Sequence, residues 1–231
     1  MRELVESPVF LVGLTLAAYR IGCWVRDRAR GHALAQPVLV AIVVTGATLL
    51  ALDIDATVYA DGVQVLSFWL GAATVALAVP LHRQVSRLRG FVVPMLVAIP
   101  LGVTTSVVSV VLLARWTGAD EELALTLSPK AATTPVSIAL SETIGGIPSL
   151  TAALTIAIGV LGAIAGPALL TLARITDRRA RGLALGGVSH GIGASRALVE
   201  DETEGAFAGL SMGLTALTTS LLLPLLLTVL L

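Results

Sequence analysis

The chain has 231 residues, of which 56% are hydrophobic and only 13% charged, and its mean hydropathy is +0.93. Soluble domains carry about 25% charged residues, so this composition excludes a soluble globular fold and intrinsic disorder alike. Fifteen Lys plus Arg balance fifteen Asp plus Glu, which offers no charge argument for nucleic acid, and the single Cys23 supports neither a disulfide framework nor a metal site.

A helix that crosses a bilayer needs about 20 predominantly apolar residues. In chain order the sequence predicts such spans over roughly 8–24, 37–53, 63–81, 91–114, 149–173 and 205–231. The first is not a cleaved signal peptide, because no small-x-small site follows it before the Arg cluster. Eleven Arg residues fall into three of the intervening stretches: Arg20, Arg26, Arg28 and Arg30; Arg83, Arg87 and Arg89; Arg174, Arg178, Arg179 and Arg181. The positive-inside rule then predicts cytoplasmic loops at 25–36, 82–90 and 174–182, with both termini outside. Asp53, Tyr59 and Asp61 read as an exposed outer loop.

With that orientation, the segment between the fourth and fifth spans must enter and leave on one side. The same holds for residues 182–204. Residues 128–148 (SPKAATTPVSIALSETIGGIP) predict a half-helix over 135–144, about 15 Å long. Thr134 is its expected N-cap and Pro135 its first helical residue, and Gly145, Gly146 and Pro148 stop it. Residues 182–200 (GLALGGVSHGIGASRALVE) hold Gly186, Gly187, Gly191 and Gly193, which interrupt regular helix. A second half-helix is expected to resume near Ala194, with His190 before it and Arg196 in its first turn.

Two half-helix N-termini reaching the same depth from opposite sides, with Lys130, His190 and Arg196 beside them, would form an anion site. Such discontinuous helices line enclosed cavities in secondary transporters. The expected contacts to the anion are Lys130, Thr133, Thr134, Ser189, His190, Gly191, Gly193 and Arg196, with Glu142 as a candidate coupling carboxylate. Plainer readings stand beside these. The glycines could serve close helix packing, Lys130 could snorkel to the outer surface, and Arg196 could pair with Glu200 one turn on. His190 could bond a backbone carbonyl, and Glu142 could face water.

The strings SPKAATTPVSIALSETIGGIPSLTA and GLALGGVSHGIGASRAL, with LGAATVALAVPLHRQ and more weakly SPVFLVGLTLAAYRIG, resemble the LrgB/CidB family of bacterial membrane proteins over essentially the whole chain. Departures from the family pattern are Ala131 and Ala132 after Pro-Lys, His82 for a usual Tyr, Ala72 for a usual Pro, and Ala194 for a common Thr. The resemblance implies one of two roles. One is a holin-like or antiholin-like modulator of murein hydrolase activity and cell lysis. The other is a carrier of small carboxylates such as pyruvate or glycolate, as in the similar plastid glycolate/glycerate translocator.

It also implies a small LrgA/CidA-like membrane partner, homo-oligomers and a bacterial plasma-membrane location. The dipole argument favours the carboxylate carrier, coupled to an ion or proton. No cofactor, metal or catalytic group is expected, since no HExxH, GxSxG or paired intramembrane Asp occurs. The expected fold is all-α: one polytopic membrane domain over 1–231, about six full transmembrane helices and two re-entrant or broken helices, with 1–118 and 119–231 as candidate inverted repeats.

Overall fold

The computed structural model describes residues 2–29, 35, 37–66, 68–69 and 90–231. Helix is the only regular structure among them, numbered here in chain order. By contact the chain divides into two units, residues 1–75 and 76–231.

In the first unit, α1 (Arg2–Val5) leads into α2 (Pro8–Arg28). Pro8 opens α2 where an amide would go unbonded anyway, and the Ser7 hydroxyl accepts from the Phe10 amide at 3.3 Å. Residues α3 (Pro37–Ala51) follow and pack on α2. Asp55 then caps the short α4 (Ala56–Gly62), accepting from the Thr57 hydroxyl at 2.6 Å and its amide at 2.8 Å. Those two bonds hold the Asp55 carboxyl below the usual carboxylate range. Tyr59 is not in a free loop as expected: it sits on α4 and shares a 2.8 Å hydrogen bond with Thr15 on α2.

The second unit is built on three long helices. These are α5 (Val92–Thr117), α8 (Pro148–Leu172) and α10 (Glu202–Leu230), with α6 (Glu121–Leu127), α7 (Thr134–Ile144) and α9 (Arg178–Glu200) between them. Met95, Ile99, Val103, Val107 and Val111 recur every fourth residue along α5 and so form one stripe, which packs on Phe207, Leu210, Leu223 and Leu227 of α10. Phe91 meets Phe207 edge to face at 5.5 Å at one end, and Arg115 reaches the Leu231 carbonyl at the other. Thus α5 and α10 run parallel.

On its outer side α5 exposes Val93, Leu96, Val97, Leu101, Leu112 and Leu113. That face suits hydrocarbon, not water.

Four described helices are long and apolar enough to cross a membrane: α2, α5, α8 and α10. At 15 residues α3 is a shorter apolar helix. These five match five of the six expected spans. The sixth, 63–81, falls largely outside the described residues, as do half of the expected loop 25–36 and nearly all of the loop 82–90. The contact boundary falls at 75/76, and α5 packs on α10 within the second unit.

Both segments expected to re-enter are short or broken helices that return towards the end from which they start. The chain leaves α5 at the Trp116 end and starts α8 from that same end, since Ile147 donates to Thr126 of α6 at 2.9 Å. It leaves α8 at the opposite end, where Asp177 caps α9 by accepting from the Arg179 amide. Helix α9 is a hairpin. His190 (φ 40°, ψ −131°) breaks it, and the second arm, 191–200, folds back so that Gly193 abuts the Leu185 carbonyl.

Asp201 then caps α10 beside the hairpin's base, where Glu204 accepts from Arg178. The first arm, 178–189, lies parallel to the start of α10, with Gly182 against the Glu204 carbonyl and Gly186 against that of Ala208.

Three local expectations are corrected. The N-cap of α7 is Thr133, not Thr134, and Pro135 is the second helical residue. An amide is as dispensable there as at the first position. The glycines 186 and 187 do not interrupt helix; the cost of glycine, about 1 kcal/mol each, is met by the close approach to α10. The second half-helix resumes at Gly191, because His190 alone carries the break.

Candidate functional site

Lys130 lies in the turn between α6 and α7, and its Nζ donates to the carbonyl of Ser106 at 3.0 Å and to its hydroxyl at 2.9 Å. Ser106 is near the middle of α5, about 20 Å along the helix from Val92. Lys130 is therefore anchored at mid-depth by a polar interruption in an apolar helix. It has not reached the outer surface.

Lys130 and Ser106 close one end of a cavity of about 520 Å³ that runs between α5, the first arm of α9 and α10 towards Phe91 and Ala180. Its walls include Ala98, Gly102 and Leu183; the polar residues lining it are Ser106, Lys130, Ser211 and Thr215. No acidic residue is among the described residues that line it, so none of them gives the ammonium charge a counter-ion there. An ammonium offers three donors and an anion's oxygen can take one.

The start of α7 and the hairpin tip converge here, since Lys130 and Ala131 share the cavity with Gly187 and Val188. Behind them runs α8. His190 donates from Nε2 to the Thr155 carbonyl at 3.0 Å, the plainer of its two expected readings.

The hydroxyls of Thr133, Thr155 and Ser189 are buried without a hydrogen-bond partner. Such groups cost free energy unless something pairs with them, and Ser189 lies against Gly162 of α8. Thr134 is half-buried in the first turn of α7. Gly193 is used for the fold-back, whereas Gly191 is exposed.

Of the expected site residues only Lys130 lines the cavity; Thr133, Thr134, Ser189, His190, Gly191 and Gly193 stay outside its lining, and Arg196 and Glu142 lie further off. Arg196 forms an i,i+4 ion pair with Glu200 on the returning arm, and does not line the cavity. The hairpin turns its N-terminus towards the tip but aims Arg196 along its own axis at the acidic residue one turn on. Glu142, towards the C-terminal end of α7, is exposed and also outside the cavity.

Sequence reasoning missed the partner of Lys130, although the polar run Thr104, Thr105, Ser106 inside an apolar span was a signal. It also missed two buried polar clusters. Thr151 donates to Ser141 and accompanies Thr126 in tying α7 to α8 and α6. At the hairpin base, fully buried Glu204 accepts from Arg178 at 2.8 Å and Arg181 at 3.3 Å, and Arg181 also donates to the Pro167 and Ile175 carbonyls. Near the cavity's far end Arg179 stacks over the Phe91 ring at 4.6 Å.

The pattern of broken helices around the Pro-Lys turn and the Ser-His-Gly tip coincides with the strings that carried the sequence resemblance. Residues 15–229 match the LrgB-like family. The chain belongs to that family. This LrgB-like chain is 33% identical to the antiholin-like protein LrgB of Bacillus mycoides (strain KBAB4) over 218 residues, 94% of this chain and 95% of that one. It is 32% identical over the same shares to the proteins of that name from Bacillus cereus (strain B4264) and Bacillus anthracis (strain CDC 684 / NRRL 3495). No solved structure matches the LrgB-like chain. Family and fold together make it an all-helical membrane protein.

Proposed function

We propose that this LrgB-like protein serves the antiholin-like role for which its Bacillus relatives are named, restraining lysis at the bacterial plasma membrane and catalysing no reaction. The observation that carries this reading is 33% identity across 94% of the chain. The Arg-rich ends of α2 and α9 then face the cytoplasm, and the protein acts beside a small LrgA/CidA-like membrane protein and further copies of itself. Co-expression with a holin in a bacterial host is the test. Delayed onset of lysis is expected, and an unchanged onset at confirmed membrane expression overturns the reading.

The cavity favours a second reading, a carrier of small carboxylate anions coupled to an ion or proton. An uncompensated ammonium at the inner end of an apolar cavity supports it, since such a group gains most from an anionic partner when water is excluded. Lys130 would hold the carboxylate. Thr133, Thr134, Ser189, His190, Gly191 and Gly193 follow the lining residues Ala131 and Val188 in the chain without lining the cavity themselves, and would act on the anion only through the dipoles of α7 and the hairpin tip, with Glu142 a candidate coupling group on the open face of α7.

Uptake of labelled pyruvate, glycolate and lactate into proteoliposomes, with and without a proton gradient, tests it. Lys130→Gln should weaken uptake roughly ten- to a hundredfold in affinity. Uptake no faster than in protein-free vesicles would overturn the reading.

A further inference from the structure

Resting on the carboxylate reading, we infer that the cavity takes monocarboxylates with an apolar tail in preference to hydroxylated acids. The charged group sits at its inner end, where Lys130 meets Ser106, and the other polar residues lining it are Ser211 and Thr215 of α10. From there towards Phe91 the α5 wall is Val103, Gly102, Ile99, Ala98 and Pro94, and the opposite wall is Leu183 and Ala184.

Ser211 adds little polarity, because its hydroxyl is already committed to the Leu183 carbonyl at 2.7 Å. A carboxylate seated on Lys130 therefore points its substituents down a largely apolar channel, in which Thr215 is the remaining polar lining residue. Gly102 stands one turn, about 6 Å, from Ser106, and a Cβ built on it would meet no atom of the described residues within 4 Å. Space for a tail is open at that point.

Two opposite effects follow. Each methylene transferred from water into this channel should tighten binding about three- to fourfold. Each hydroxyl placed there without a partner should weaken it, by a factor of roughly five or more. Volume points the same way: a cavity of about 520 Å³ falls in the range that encloses larger ligands than a two- or three-carbon acid.

Calorimetric titration of the detergent-purified full chain with acetate, butyrate, hexanoate, glycolate and glycerate decides it. Affinity should rise about three- to fourfold per methylene through the alkyl series, with glycerate weaker than butyrate. Lys130→Gln should weaken every member roughly ten- to a hundredfold. Gly102→Leu, whose side chain would fill the channel, should weaken hexanoate about tenfold more than acetate, and Gly102→Ala controls for folding.

A flat alkyl series, or glycerate binding tighter than butyrate, overturns this inference and leaves the carboxylate reading standing. Binding of no carboxylate overturns both. An alkyl series that binds Lys130→Gln as well as wild type reports tail partitioning into lipid or detergent, and overturns the inference too.

Discussion

Arg181 reaches fully buried Glu204 at 3.3 Å across the base of the hairpin, joining the first arm of α9 to the first turn of α10. Arg178 reaches the same oxygen, Oε2, at 2.8 Å, while Oε1 is buried without a hydrogen-bond partner, and Arg181's remaining donors go to Pro167 and Thr171 of α8 and to Ile175 just beyond it. One guanidinium thus ties three helices where the chain re-enters. Removing one partner of a buried pair strands the other charge and costs about 3–5 kcal/mol, whereas replacing both with apolar groups of similar volume is often neutral. Glu204→Gln should therefore lower the thermal midpoint of the purified protein sharply. The double variant Arg181→Met, Glu204→Leu should lose less. Equal midpoints for wild type and Glu204→Gln would show that the pair does not hold the base together.

His190 turns the hairpin with φ 40°, a conformation few L residues adopt. Holding it costs on the order of 1–3 kcal/mol, against about 1 kcal/mol for its buried bond to Thr155. His190→Gly should consequently be near neutral in stability, whereas His190→Val, β-branched and without the bond, should lose about 2 kcal/mol or more. Unfolding of both variants in detergent checks the order. A Val variant as stable as the Gly variant would contradict the tip geometry.

The same substitution should have opposite signs at two glycines. At Gly186 a Cβ would overlap the carbonyl of Ala208, so Gly186→Ala must push the hairpin off α10. At Gly102 no atom of the described residues lies within 4 Å, so Gly102→Ala should gain the helix preference of alanine, about 1 kcal/mol. Thermal midpoints measured side by side should move down for the first and up for the second.

Asp177 caps the hairpin's first arm, and Arg179, through its side chain and then its amide, lowers the Asp177 carboxyl from 3.8 to about 2. A carboxyl depressed in the folded state contributes stability that is complete above the unfolded value and disappears as pH falls through the folded one. The start of the first arm should stay protected from hydrogen exchange down to about pH 4 and loosen between about pH 4 and 2. Asp177→Asn should abolish that step without altering protection at neutral pH beyond the loss of charge. An unchanged step in the variant would assign it to another group.

Arg196 gives the cleanest contrast with Lys130. It is paired with Glu200 on the returning arm, away from the cavity. Arg196→Gln should leave anion affinity within about twofold and cost no more than about 0.5 kcal/mol of stability, the scale of an i,i+4 pair. A loss matching that of Lys130→Gln in the same uptake assay would place both residues on one ligand.

Much of this protein was determined along the chain. Twenty apolar residues in a row admit few structures other than a membrane helix, because every buried amide must bond within its own segment. The Pro135 and Gly145 pair delimited α7 to within one residue for an equally local reason: proline is restricted to helix starts, and glycine suits the left-handed residue that ends one, here with φ 84°. Even the turning back was legible, since charges on either side of 128–148 and 182–204 cannot be reconciled with single crossings.

What the tertiary structure decided concerned pairing. Whether Gly186 breaks a helix or packs one depends on Ala208, 22 residues later, and the break falls at His190, which α8 holds through the Thr155 carbonyl while α10 packs on Gly186 and Gly187. Lys130 and Arg196 look alike in sequence as cations beside half-helix starts. Only folding brings one to Ser106 at the end of an apolar cavity and leaves the other with Glu200 on its own turn. Glu204 likewise belongs to an acidic run that reads as solvated, and is buried because two arginines from the preceding helix converge on it. A side chain's charge is written in the sequence, but its partner is set by which helices meet.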